Sequence, residues 1–238
     1  MKLSIVIAVL DSHEIVRRYL LYLKSLDLPD TVETIIVDDG SNPPIQAPEP
    51  LRTTKLMYTN DTRSWTQGLA RMKGIKESVG EYILCTDIDH IVSKEAIDAS
   101  LLFQDDKMIF RRRFAYLDEE GKLINDRDSV ISWGLDPKAI RDDNLSDGVH
   151  GNTWLMRRTV FDELGGYNLN RCNSGSHLQG EDREFNKRYA HACRDGKYKD
   201  QVLGSFVYFF PSGRYHIDGN DNPHGLFHTL NHTKWGEK

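Results

Sequence analysis

The chain has 238 residues, of which 28% are charged and 39% hydrophobic, and a formal net charge of −5. That balance fits a folded domain and excludes a disordered or fibrous chain. With Lys/Arg and Asp/Glu mixed along the sequence, no basic stripe is offered to a phosphate backbone, so nucleic acid is not an expected partner.

Residues 3–10 are an apolar run of strand length, rich in β-branched residues and stopped by Asp11. They predict a first buried strand rather than a leader peptide. Ser12 is placed to cap a helix whose apolar face is Ile15, Tyr19, Leu20, Leu23 and Leu26, with Pro29 beyond it. Residues 34–37 predict a second strand, closed by Asp38-Asp39-Gly40-Ser41, and residues 55–58 a short third. Residues 65–79 predict a helix and residues 82–86 a fourth strand, ending at Asp87-Ile88-Asp89. Alternating strands and helices predict a parallel sheet with helices on both faces.

The second half is less regular. Strands are expected over residues 107–113, 114–117, 152–156 and 202–209, with helices over 159–164 and 181–194. Residues 125–147 are polar and read as a loop or short helices. No apolar stretch approaches the ~20 residues of a membrane helix. Cys85, Cys172 and Cys193 form neither a disulfide framework nor a zinc site, which points to a reducing, cytoplasmic setting.

Open α/β sheets bind ligands beyond the carboxyl ends of their strands. The acids stand at those ends: Asp11, then Asp38 and Asp39, then Asp87 and Asp89. Asp87-x-Asp89 can reach one divalent cation, for which Mg²⁺ or Mn²⁺ suits the oxygen ligands. Either Asp38 or Asp39 can accept from a nucleobase, although Asp-Asp-Gly-Ser is also ordinary turn chemistry. Arg71 can hold a phosphate or ribose through its planar fork. Gly180-Glu181-Asp182 opens a helix, where acids are favoured by the dipole and where one can serve as a general base. Among the C-terminal histidines His216, His224, His228 and His232, His216 is best placed to ligate a metal, soon after a strand.

Together these segments resemble the inverting GT-A glycosyltransferases of family 2. The resemblance rests on Ser4-Ile5-Val6-Ile7-Ala8, Ile35-Ile36-Val37-Asp38-Asp39-Gly40-Ser41, Gly68-Leu69-Ala70-Arg71-Met72-Lys73-Gly74, Thr86-Asp87-Ile88-Asp89, Leu164-Gly165-Gly166-Tyr167 and Gly180-Glu181-Asp182, in that order. It implies a single GT-A (Rossmann-like) α/β domain with a mainly parallel sheet flanked by helices. Residues 1–90 would form its nucleotide-sugar half, 91–215 its acceptor half and 216–238 a tail or lid.

The resemblance also implies roles. Ala8, Asp11, Asp38, Asp39, Arg71 and Asp87 would bind the donor, a nucleotide-diphosphate sugar with UDP favoured. Asp87 and Asp89, with His216 or else His150, would hold Mn²⁺ or Mg²⁺. Asp182 would be the catalytic base, with Glu181 beside it. His150, Trp154 and Tyr167 would meet a glycan or glycoconjugate acceptor, and Trp133 is a further aromatic that could stack on a sugar.

The chain departs from the family pattern in carrying Met72-Lys73 after the arginine. It also lacks the Arg-Trp pair of processive members, so a non-processive enzyme is expected. Two other readings compete. A nucleotidylyltransferase would want a glycine-rich loop where Asp11-Ser12-His13-Glu14 stands. A non-catalytic nucleotide-sugar binder would differ only by the absence of turnover.

Overall fold

The computed structural model describes residues 2–47, 51–63, 66–140, 145–172, 180–220 and 222–226. The first half runs β1 (Leu3–Val9), α1 (His13–Ser25), β2 (Val32–Asp38), β3 (Thr54–Tyr58), α2 (Gln67–Glu77), β4 (Tyr82–Asp87), β5 (His90–Ile91) and α3 (Lys94–Leu102). The second half runs β6 (Lys107–Phe114), β7 (Tyr116–Leu117), β8 (Leu123–Ile124), α4 (Arg127–Ser132), β9 (Leu145–Arg157), α5 (Arg158–Glu163), α6 (Leu169–Cys172), α7 (Glu181–Arg194) and β10 (Val202–Phe209).

Among the described residues eight strands make one sheet in the order β3-β2-β1-β4-β9-β6-β10-β5, and β7 and β8 form a separate hairpin. The two-residue side-chain period of a strand sorts the core into two layers. On one face Ile5, Ile7, Ile36, Leu84 and Phe110 pack with Ile15, Tyr19 and Leu23 of α1 and with Ile97 of α3. On the other, Val6, Ile83, Cys85, Trp154 and Met156 pack with Ile75 of α2, Phe161 of α5 and Phe185 of α7. Burial of both faces explains why the central strands read as unbroken apolar runs.

The sheet is mainly parallel, as expected, with two antiparallel members: β9 lies between β4 and β6 and runs antiparallel to both, and the edge strand β5 runs antiparallel to β10. A central strand covered on both faces has the same composition in either direction, so residues 152–156 carry no sign of it. Two local expectations also change. Ser12 is the N-cap residue of α1, but its side chain makes no capping bond; its hydroxyl donates to the Leu10 carbonyl at 2.7 Å. The helix α3, not anticipated, begins where Ser93 Oγ accepts from the Ala96 amide at 3.0 Å, an N-cap written in Ser93-Lys94-Glu95-Ala96. Among the described residues no helix is long and apolar enough to cross a membrane.

Candidate active site

The carboxyl ends of β1, β2 and β4 meet along one edge, where Ala8 of β1 is paired with Val37 on one side and Asp87 on the other. Asp38 is buried, and its two oxygens accept from the Ser41 amide and the Ile45 amide, both at 2.8 Å. It therefore shapes the loop after β2. Asp39 is also buried and accepts from the hydroxyls of Thr59 at 3.0 Å and Thr66 at 2.8 Å. Asp11 is exposed at φ 44°, with Oδ1 accepting from the Asn42 amide at 2.9 Å.

Asp87 is the centre of the edge. Arg71, fully buried on α2, forms an ion pair with Asp87 Oδ1, and Gln67 donates to the same oxygen at 3.3 Å. Asn152 donates to Asp87 Oδ2 at 3.4 Å. Burial alone would lower the Arg71 pKa, but the facing Asp87 carboxylate more than reverses this and raises it. The helix reaches this depth because of Gly74. A Cβ there would stand 2.6 Å from Val6 Cγ1 and 2.9 Å from Val37 Cγ2. Arg71 itself has no exposed surface, so in this structure it acts on the edge through Asp87.

Asp89 and His90 follow at once. His90 is buried, its Nδ1 lies 2.8 Å from Asp89 Oδ1, and its ring stacks on Phe209. One ligand atom each from Asp87, Asp89 and His90 falls within 4.8 Å of the others. Two carboxylates and an imidazole form a donor set that suits Mn²⁺ and also accommodates Mg²⁺. His90 was missed in the sequence, where it stands immediately behind the D-x-D pair and ahead of Ile91-Val92. His216 lies outside this group. Its Nδ1 is 2.6 Å from Asp218 Oδ1, and its ring edges against Trp133.

The helix α7 brings the second pair of acids. Gly180 precedes it at φ 80°, and Glu181 opens it, buried. Burial pushes the Glu181 carboxyl above the usual carboxylate range, and Arg71, Asp182 and Asp87 are all near enough to act on it. Arg188 ties α7 to the preceding glycine turn, donating to the carbonyls of Leu164 and Gly166 and to Glu184. Gly166 sits at φ 62°, a left-handed conformation that favours glycine, and packs against the Met72 thioether of α2. Beside α7, β9 is irregular: Ile109 of β6 is opposite Trp154, while Arg111 is opposite Val149. The extra residues of this bulge include Gly151 and Asn152. An atom built on Gly151 would stand 3.8 Å from Asp182 Oδ2. The irregularity thus serves both acids, Asn152 at Asp87 and Gly151 at Asp182.

The expected acceptor aromatics sit elsewhere. Trp154 and Tyr167 are buried with Phe161 and Phe185 in the layer under α5 and α7. Trp133 stacks on Tyr116, and His224 Nε2 approaches its carbonyl at 2.9 Å. The side chain of His150, together with Trp65, His228 and His232, lies outside the described residues.

The model of Glycosyl transferase family 2 matches residues 4–165. Against curated protein sequences the chain has no match. Among solved structures, S. aureus TarS 1-349 superposes with a TM-score of 0.57 at 16% identity, covering 89% of this chain and 61% of that one. The same protein solved with UDP-GlcNAc gives 0.57 at 17%, covering 92% and 61%. The mannosyltransferase PcManGT from Pyrobaculum calidifontis, solved with GDP-Man and Mn²⁺, gives 0.53 at 12%, covering 90% and 58%. At these identities the likeness is one of fold, and the chain spans about three fifths of each neighbour's length.

Proposed function

The chain belongs to glycosyl transferase family 2, and we propose that it is a metal-dependent, inverting enzyme that moves a sugar from a nucleotide-diphosphate donor to an acceptor hydroxyl. The observation that carries this reading is the convergence of Asp87, Asp89 and His90 with the Glu181-Asp182 helix start, electrostatically joined through buried Arg71. Residues 1–90 would supply the donor half and 91–215 the acceptor half. Asp11 and Asp39, at the ends of β1 and β2, would face the nucleoside, with uracil the favoured base.

Asp87 and Asp89, completed by His90, would hold Mn²⁺ or Mg²⁺, whose charge offsets that of a departing diphosphate. Arg71 fixes the Asp87 carboxylate from within, so that it does not reorganise when the donor arrives. Asp182 takes the proton of the acceptor hydroxyl. The acceptor oxygen bonds to the anomeric carbon as the bond from that carbon to the phosphate oxygen breaks, on the opposite face of the ring. The nucleoside diphosphate leaves with the bonding pair, and the new linkage has inverted configuration. Glu181, buried beside Asp182 at the start of α7, positions the donor or acceptor.

Thermal unfolding with UDP, GDP or dTDP, each with and without Mn²⁺, tests the reading. Ligand at a hundredfold excess over Kd adds ~2.7 kcal/mol to the native state. A shift with UDP that requires Mn²⁺ is expected. No shift with any nucleotide at millimolar concentration would remove the donor site.

A further inference from the structure

β6 divides its residues between the two faces of the sheet. Met108, Phe110, Arg112 and Phe114 are buried towards one, whereas Ile109 and Arg113 are half-buried and Arg111 is exposed. The odd-numbered set faces α7: Lys107 donates to Asn186 Oδ1 at 2.5 Å, and Ile109 packs with the layer holding Phe185 and Tyr189. Arg111 and Arg113 continue that row to the carboxyl end of the strand. Since β4 and β6 are both antiparallel to β9, this end shares an edge with Asp87 and Asp89.

Both guanidiniums lie over the Phe206 ring, 5.7 Å from its centroid for Arg111 and 4.0 Å for Arg113. Among the described residues no carboxylate pairs with either, and Arg113 Nε is buried without a hydrogen-bond partner. An aromatic ring orients a guanidinium plane and leaves its charge uncancelled. Arg111 is opposite Val149 of β9. Val149, Gly151, Ile109 and Asn186 line a cavity of about 280 Å³, and Gly151 is the residue beside Asp182 Oδ2. That volume is below the about 300–1,000 Å³ of sites for larger ligands and suits a single sugar ring. Asp200, the one acid among the described residues of its lining, follows Lys199, whose amide donates to Asp106.

We propose that Arg111 and Arg113 are the anion-recognising end of the acceptor site, and that the acceptor is a sugar bearing a phosphate or carboxylate. The proposal rests on the reading of Asp182 as the base. It also answers an electrostatic difficulty. The chain carries −5 overall, and the proposed reacting centre gathers the carboxylates of Asp87, Asp89 and Asp182. A charged acceptor would be repelled there unless fixed cations stood beside its path. The two arginines supply them, in the fork geometry that fits an oxyanion.

The test uses the full chain with UDP and Mg²⁺ present, so that the donor's own phosphate positions are filled. Thermal unfolding is followed with glucose 6-phosphate, glucuronate or glucose added, for the natural protein and for Arg111→Gln/Arg113→Gln. At least one charged sugar should stabilise the natural protein saturably while glucose does not, and the better one distinguishes phosphate from carboxylate. The double variant should bind it at least about tenfold more weakly, yet keep its UDP–Mg²⁺ shift. If that variant does not fold, Arg111→Gln alone, at an exposed position, should still weaken binding. Equal responses to glucose and charged sugars, no response to either charged sugar, or an unchanged affinity in the variant would each overturn the proposal. Loss of the UDP–Mg²⁺ shift in the natural protein would instead strike the donor reading, and the charged-against-neutral comparison would still decide the arginine pair.

Discussion

Arg71 meets Asp87 from inside the protein: the arginine side chain has 0% of its surface exposed, the aspartate 15%. The pair therefore bridges core and edge, holding the carboxylate at the end of β4 by a cation that water does not reach.

Removing that cation strands a partly buried carboxylate. Arg71→Met should destabilise the fold by about 3 kcal/mol, since breaking one side of a buried pair costs more than deleting both. Arg71→Met/Asp87→Asn should recover part of the loss. Urea unfolding of both single variants and the double gives the coupling. Additive effects would show that the two side chains are not an energetic unit.

Asp182 is tested by separating chemistry from binding. Asp182→Asn keeps shape and loses the proton acceptor, so turnover should fall by ~10²–10⁴-fold. The shift of unfolding temperature with UDP and Mn²⁺ should persist, because Asp182 belongs to α7 and not to the end of β4. Near-normal turnover would end the assignment of Asp182 as base.

The same contrast shows what could be read beforehand. The carboxyl-edge acids were legible because strands β1, β2 and β4 are apolar runs that stop abruptly at charge. The direction of β9 was not, since a strand buried on both faces looks alike either way. His90 was hidden because a single histidine after the D-x-D pair has no spacing that marks it as a ligand, and only folding shows its Nδ1 beside Asp89. The bulge that delivers Gly151 and Asn152 leaves no local signature, because it exists only relative to the register with β6. The aromatic reading of Trp154 and Tyr167 as sugar platforms ran ahead of burial, which puts both rings among other rings.

Gly74 should tolerate no side chain. Gly74→Ala would press a methyl against Val6 and Val37, neither of which can withdraw from a two-sided core. A loss of about 1–3 kcal/mol is expected from overpacking. Because α2 carries Arg71, the same variant should also weaken the Mn²⁺-dependent nucleotide shift. Unchanged stability and unchanged nucleotide binding in Gly74→Ala would refute the close-packing explanation.

Lys107 gives a pH signature. Its ammonium is buried, bonded to Asn186 Oδ1 at 2.5 Å and set 4.8 Å from the Tyr189 ring centroid. Burial lowers its pKa from 10.5 to about 8. Below about 8 both native and unfolded chains hold the proton, and the native state bears the full cost of the buried charge. Between the two values the native chain has released it while the unfolded chain has not, so stability rises with pH through that window. Lys107→Met has no such group. The stability difference should therefore move in favour of the natural protein by about 3 kcal/mol across the window. Urea unfolding of both proteins from about pH 7 to about pH 10 measures that difference directly, with the other titrating groups cancelling. A difference that stays flat would mean that the amine reaches water in the native state and is not buried against Asn186.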